Sequence, residues 1–279
     1  MLTSTILGGL LPTAIIVMAL IGLVVSAIGF RKYVYFISIG YGYSIAAMAI
    51  VAIAFAGPVA SVVSWAQCAL LMVYGMRLGT YLVIRETKPA YQATQKTDGD
   101  RSGKVGIGLK FVIWLTVAVL YAVMFIPALG RVSAESLGLI DPLWGLSSAG
   151  IVVMALGLII EGVADAQKSA AKKKAPHRFC AAGLYRYTRC PNYFGEMLFW
   201  TGNILAGASL LGTWLAWVLA VGGYLSIILV MIGSGRRLEL KQEARYGMDP
   251  EYQAYVAKTP VLVPFLPIYS LKNAKLYLG

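Results

Sequence analysis

Asn192, Glu196, Trp200 and Asn203 recur at spacings of four, four and three, so one helical stripe carries two amides, a carboxylate and an indole. The stripe grows out of the run "GLYRYTRCPNYFGEMLFW", Gly183 to Trp200, at the mouth of an apolar stretch. An ionisable side chain at membrane depth costs about 3 kcal/mol and normally faces a partner, water or the bundle interior. The face bearing Glu196 is therefore expected to look into a polar cavity and not at lipid. Pro191 suits the first turn of a helix, where its missing N–H costs nothing. That places Asn192 to Glu196 at the cytoplasmic start of this segment.

Three further stripes point the same way. Gln67, Tyr74, Arg77 and Tyr81 are spaced seven, three and four. Tyr74 is too deep for an interfacial aromatic belt, whereas Arg77 and Tyr81 also fit a belt with a snorkelling arginine. Glu161, Asp165, Lys168 and Lys172 are spaced four, three and four, acid before base, which is equally the pattern of a solvated helix end. Ser38 and Tyr41 lie three apart, although hydroxyls in membrane helices commonly bond a backbone carbonyl. Together the stripes describe a chamber open to the cytosol, rimmed by acids and cations, with tyrosine and apolar side chains on its deeper wall. Such a chamber suits an anionic head group outside and a lipophilic partner within.

Lys172, Lys173, Lys174, Arg178, Arg186, Arg189, Arg236 and Arg237 supply more cations than one pyrophosphate needs. The surplus suits a 2′-phosphate and favours NADPH over NADH. The soluble route to a dinucleotide is excluded, because "GIGLKF" and "GSGRRL" lack both the third glycine and a strand–turn–helix context. His177 is the only histidine, so no histidine-rich metal centre is expected and a Ser-His-Asp triad has no acid near its one possible base. The three cysteines form no CxxC pair and give no disulfide framework.

The elements that must position these residues are membrane helices. The chain has 279 residues, 59% hydrophobic and 13% charged, with a mean hydropathy of +0.73. Seven apolar runs approach the roughly 20 residues that cross a bilayer: about 5–29, 33–56, 59–84, 109–129, 143–163, 193–209 and 211–234. The expected fold is an all-α integral membrane protein, a single seven-transmembrane helix bundle with a cytoplasmic tail from 235 to 279. Of the 24 Lys and Arg, 22 fall on one side of this threading; Arg131 lies on the other and Arg77 within a run. The positive-inside rule then puts the N-terminus outside and the C-terminus in the cytoplasm. The same asymmetry accounts for the net charge of +12 without nucleic acid as a partner. The first run reads as a retained helix and not a cleavable signal, since its basic pair, Arg31 and Lys32, follows it.

The stretch "GLYRYTRCPNYFGEMLFWTGNILAG", together with "MVYGMR" and the basic segment near Arg236, resembles the membrane-embedded steroid 5-alpha-reductase family and its bacterial relatives. The resemblance is sharpest over 178–207. It implies a seven-helix bundle in a bacterial inner membrane that binds NADPH from the cytoplasmic side. The implied reaction is reduction of the 4,5 carbon–carbon double bond of a 3-keto-4-ene steroid or similar lipid enone. It also implies cofactor contacts at Asp165, Arg178, Asn192, Glu196 and Trp200, and further at Glu161, Lys172 and Arg236. With Arg186, Arg189, Tyr193 and Arg237 these make the expected cofactor set. Tyr74 matches the family tyrosine that hydrogen-bonds the ketone. The family's supporting glutamate is missing, because "YVYFISIGYGYSIAAMAIVAIAF" holds no carboxylate. Ser38, Tyr41 or Gln67 could take its place, and depth favours Tyr41.

Two other readings stand beside this one. A membrane methyltransferase of the isoprenylcysteine type shares an Arg-x-Pro-x-Tyr-like entry to a late helix, but S-adenosylmethionine carries no phosphate for the cation cluster. A non-enzymatic lipid-binding or transport protein would be expected to be polar on both membrane faces. The outward loops here, "AGP" and "AGASLLGT" among them, are short and almost uncharged.

Overall fold

A computed structural model describes residues 2–88 and 105–274, with side chains from residue 12 onward. Lys96, Arg101, Lys104 and Lys275, counted in the charge asymmetry, lie outside the described residues. The described residues are helical, with no strand among them. The long helices are α1 (Leu2–Ser26), α3 (Ile39–Ala56), α4 (Val62–Glu86), α5 (Ile107–Ser136), α6 (Trp144–Lys174), α7 (Pro191–Gly207) and α8 (Trp214–Tyr246). Two short helices, α2 (Val34–Ile37) and α9 (Pro250–Val256), and three 3-10 turns accompany them among the described residues.

Among the described residues, six helices are long and apolar enough to cross a membrane: the Pro12–Phe30 stretch that includes most of α1, then α3, α4, α5, α6 and α8. The chain is thus a multi-pass membrane protein by length and composition. The expected crossing at 193–209 corresponds to α7, which has 17 residues and is not one of the six. It does begin at Pro191, where proline fits the first turn. The expected run 33–56 is broken at Ser38, whose φ of −121° and ψ of −87° leave helical geometry. Its hydroxyl donates to the Val34 carbonyl 2.8 Å away. Helices α5, α6 and α8 outrun their apolar stretches, because backbone hydrogen bonding continues where hydropathy falls. In α6 and α8 the extra turns carry Lys172 to Lys174, Arg236 and Arg237.

The helices make two compact units. The first comprises Met1–Ile151 and Asn203–Gly223, and the second Val152–Gly202 and Tyr224–Gly279.

In the first unit α3 and α4 pack backbone to backbone through glycines. A Cβ built on Gly42 would fall 2.8 Å from both the Gly75 oxygen and the Gly79 nitrogen. One on Gly75 would overlap the Gly42 carbonyl oxygen and lie 2.8 Å from the Ala46 nitrogen. Only glycine allows this approach, which is how small residues drive helix association in lipid. Phe36, Ile45, Met48, Leu71, Phe125 and Ile126 fill the core around it.

Arg131, fully buried, is the polar centre of the same unit. It pairs with Glu135 at 3.2 Å and Asp141 at 2.8 Å, and it donates to the Ser64 hydroxyl and the Ala206 carbonyl. Glu135 accepts in turn from the Ser61 backbone and from both serine hydroxyls. The network ties the start of α4, the ends of α5 and α7 and the loop before α6. A buried cation is tolerable only when its charge is paired, and here one arginine has two carboxylates.

The second unit repeats the glycine device between α6 and α7. A Cβ on Gly157 would meet the Phe199 nitrogen at 2.5 Å, and one on Gly195 the Glu161 nitrogen at 2.7 Å. The 188–190 turn, α8 and the C-terminal segment are laced together beside them. The Arg189 and Cys190 N–H groups donate to the Pro260 and Val261 carbonyls, and Thr188 Oγ1 donates to Val261 and Leu262. Cys190, Val261 and Leu262 form the apolar centre of this clasp. Phe179 is caged by Tyr246, Tyr252 and Tyr255, which pins the loop after α6 onto α9.

Candidate functional site

Candidate chemistry occurs in both units. In the first, Tyr41 and Gly42 are consecutive on α3, as are Tyr74 and Gly75 on α4. The glycine contact therefore carries the two tyrosines toward each other. Their hydroxyl oxygens are 2.9 Å apart, with Tyr74 donating to Tyr41, and both rings are buried. Tyr121 from α5 packs its ring 5.2 Å from that of Tyr41 and donates its own proton to the Phe36 carbonyl, 2.7 Å away. The arrangement is a tyrosine pair in an apolar setting, a preorganised hydroxyl donor.

The other groups considered as partners of Tyr74 are engaged elsewhere. Ser38 bonds its own helix. Gln67 is fully buried two turns along α4 and donates from Nε2 to the Asn203 carbonyl and side chain, at 3.1 and 2.9 Å. Asn203, the last residue of the α7 stripe, thus bonds Gln67 within the first unit. Arg77 and Tyr81 are half-buried.

In the second unit Glu161, Asp165, Glu196 and Trp200 are all buried. Gly195 packs on the backbone of Glu161, so the α6 stripe and the α7 stripe meet along one seam. Three carboxylates share this seam, with the Trp200 indole edge-on to Phe199 at 5.6 Å. Asn192 is half-buried, and its Oδ1 is a buried acceptor with no hydrogen-bond partner among the described residues. A buried amide oxygen without a donor costs about 1–3 kcal/mol. It is therefore a natural contact for a ligand N–H or O–H. Tyr193 turns toward the Cys190–Val261–Leu262 clasp.

The cations of the second unit divide by environment. Arg189 is 3% exposed and bonds Glu239 at 3.2 Å and the Tyr269 carbonyl at 2.5 Å, inside the clasp. Lys172 donates to the Arg178 carbonyl at 2.5 Å and the Tyr246 hydroxyl at 2.8 Å, capping the loop that follows its helix. Arg178 is exposed and pairs with Glu251. Arg236 is half-buried and donates to the Lys272 carbonyl at 3.3 Å. Arg186 and Arg237 are exposed. Cys190 lies beside Arg189, and burial pushes its thiol up to about 11 against the lowering pull of Lys168 and Arg189.

Three features escaped the sequence reading. Tyr121 shows no polar spacing to the other tyrosines because it comes from a distant helix. Gln167, whose Oε1 accepts from the Leu184 N–H at 2.8 Å, props the 183–186 turn where Gly183 adopts a φ of +64°. The Arg131–Glu135 pair was visible as an i, i+4 spacing, but Asp141 and the serines that complete it were not.

Helices paired through glycine contacts, with tyrosine and carboxylate stripes along the pairs, define an all-helical multi-pass membrane protein with polar seams. The chain belongs to a family described as "Protein of unknown function (DUF1295)", whose model matches residues 24–259. No curated protein and no solved structure matches it.

Proposed function

We propose that this protein is an NADPH-dependent reductase of the steroid 5-alpha-reductase type, acting on the 4,5 double bond of a 3-keto-4-ene steroid or a similar flat lipid enone. The observation that carries the reading is the buried Tyr41–Tyr74 hydroxyl pair, 2.9 Å between oxygens. Its support from sequence is the Asn192–Phe194–Gly195–Glu196 core followed by Trp200.

Adding a nucleophile to the β-carbon of an enone pushes negative charge onto the ketone oxygen. A phenol held in place beside that oxygen stabilises the charge without reorganising, an effect that reaches about 3 kcal/mol for a single donor. Tyr74 is the donor in this proposal. Tyr41 fills the role of the carboxylate that the second run lacks. A small rotation of the two hydroxyl protons makes Tyr41 the donor to Tyr74 and frees the Tyr74 proton for the ketone. Tyr121 packs against Tyr41 and restrains its ring. Protonation at the α-carbon completes the reduction.

The residues of the α6–α7 seam fit a nicotinamide nucleotide. Asn192 Oδ1 offers a buried acceptor for an amide or hydroxyl donor, and Asp165, Glu161 and Glu196 are acceptors suited to ribose hydroxyls. Trp200 supplies a flat wall. Arg186 and Arg237, exposed and cationic, suit the phosphates, whereas Arg189, Lys172 and Arg178 act through the loops they hold. When bound, NADPH supplies the hydride, and the cofactor owns that chemistry. The reading includes seven crossings with α7 as the sixth, the N-terminus outside and the nucleotide face in the cytoplasm of a bacterial inner membrane.

The test is turnover of a 3-keto-4-ene steroid by purified protein in bilayers, followed by NADPH oxidation. Tyr74→Phe should lower kcat about 100-fold, the scale of one lost donor, while NADPH affinity stays unchanged. Wild-type turnover by Tyr74→Phe would remove the catalytic assignment.

A further inference from the structure

Val152, Leu156, Ile159 and Val163 are exposed along one face of α6, at spacings of four, three and four. On a helix that crosses a membrane, an exposed apolar stripe is a surface for acyl chains. Ile160 continues this stripe into a groove of about 210 Å³, lined also by Leu184, Thr188, Pro191, Phe194, Pro264 and Phe265, with Tyr187 at its edge. The lining is apolar in character. The Thr188 hydroxyl is turned away to the Val261 and Leu262 carbonyls, at 3.0 and 2.9 Å. The groove is smaller than the roughly 300 Å³ at which small-molecule pockets begin, and it offers no polar group to orient a head. Its occupant is therefore a slender hydrocarbon.

Phe265 supplies an independent observation. It is the one non-glycine residue with positive φ among the described residues, at 66°, and it is 87% exposed. A bulky residue in the left-handed region costs about 1–2 kcal/mol and persists only where its surroundings over-determine it. The backbone on both sides is indeed fixed. Pro260 and Val261 are bonded to the 189–190 turn, Tyr269 to Arg189, and Leu271 to Glu239. Yet the chain leaves most of the ring uncovered, with the Tyr187 ring beside it at 6.2 Å between centroids. A rigid mount that holds an aromatic ring outward, over an apolar groove continuous with a lipid-facing stripe, is organised for something outside the chain. Leu266 and Ile268 beside it are each nearly half exposed.

We propose that the groove between α6, α7 and the 263–266 turn is a lipid-binding site that holds one acyl chain of a bilayer phospholipid, with the paired Phe265 and Tyr187 rings forming one wall. The continuous stripe delivers the chain, and the turn closes over it. Phospholipid thus becomes a ligand of this unit as well as its solvent.

The full-length protein carrying p-benzoylphenylalanine at 265 would be placed in nanodiscs of phosphatidylcholine and phosphatidylglycerol, irradiated, and weighed intact. The expected result is a mass increase of one phospholipid, with no such adduct when the probe replaces Met248, which is 97% exposed between α8 and α9. In parallel, native mass spectrometry of Phe265→Ala should retain one phospholipid fewer than wild type after detergent washing. A covalent dimer, equal lipid adducts at both positions, no adduct at 265, or an unchanged lipid count in Phe265→Ala would each overturn the proposal.

Discussion

Replacing Gly75 with alanine tests whether the glycine contact builds the tyrosine pair. The new Cβ would overlap the Gly42 carbonyl oxygen and sit 2.8 Å from the Ala46 nitrogen, 0.6 Å short of the 3.4 Å at which ordinary contact begins. Both obstacles are backbone, so neither can swing aside as a side-chain tip could. The helices must part by at least that shortfall. A rigid opening would stretch the Tyr41–Tyr74 bond from 2.9 Å to at least about 3.5 Å, the limit of a hydrogen bond. Alanine in a helix gains about 1 kcal/mol over glycine. Overpacking costs about 1–3 kcal/mol, and a clash with backbone belongs at the upper end. The net loss should be about 2 kcal/mol. The assay is reversible unfolding in mixed micelles by denaturing detergent, read by circular dichroism. Gly222→Ala serves as the reference, because a Cβ there meets nothing within 4 Å. It should leave stability unchanged or raise it slightly. If Gly75→Ala matched Gly222→Ala, the backbone contact would not exist and the origin of the tyrosine pair would have to be sought elsewhere.

Three further expectations follow from the polar groups. Arg131→Met would leave Glu135 and Asp141 buried without their cation and should cost about 3–5 kcal/mol in the same unfolding assay. Burial alone would raise the carboxyl of Asp141, but hydrogen bonds from Ser209, Ser147, the Leu143 N–H and Arg131 outweigh it and hold the group at about 2, below its ordinary 3.8. A depressed carboxylate stabilises the fold above its unfolded value and loses that contribution as pH falls through its folded value. Stability should therefore decline between about pH 3.8 and 2, and Asp141→Asn should flatten that slope in a pH series of unfolding curves. Cys190, raised to about 11 by burial, should resist maleimide at pH 7.5 while the half-buried Cys180 is modified, as peptide mapping would show.

Periodicity made most of the helices legible, because apolar runs of membrane length have few alternatives. It placed the start of α7 at Pro191 through the chemistry of the first turn. It also grouped Glu161 with Asp165, and Asn192 with Glu196 and Trp200, since residues three or four apart must share a face. Helix ends were less legible. In α6 and α8 the helix persists through lysines and arginines, whose propensity is good even where hydropathy collapses. The break at Ser38 was hidden, because no proline marks it and the glycines that follow, Gly40 and Gly42, lie inside the next helix. Cross-helix partners were the least readable. Tyr41 could be favoured for Tyr74 only by depth, and the Gly42–Gly75 contact that joins them depends on which helices pair. The basic residues show the same limit. Sequence counts Arg189 and Arg186 alike, but one is buried against Glu239 and the other is exposed. That distinction comes from the fold of the C-terminal segment, 50 to 80 residues away from Arg189 along the chain.

The nucleotide that stays with the protein through purification tests the central proposal most directly. Extraction of the protein purified in mild detergent, followed by mass spectrometry of the small molecules released, should yield NADP(H). Recovery of S-adenosylmethionine or its demethylated product, or of no nucleotide together with no NADPH binding in an equilibrium titration, would contradict it.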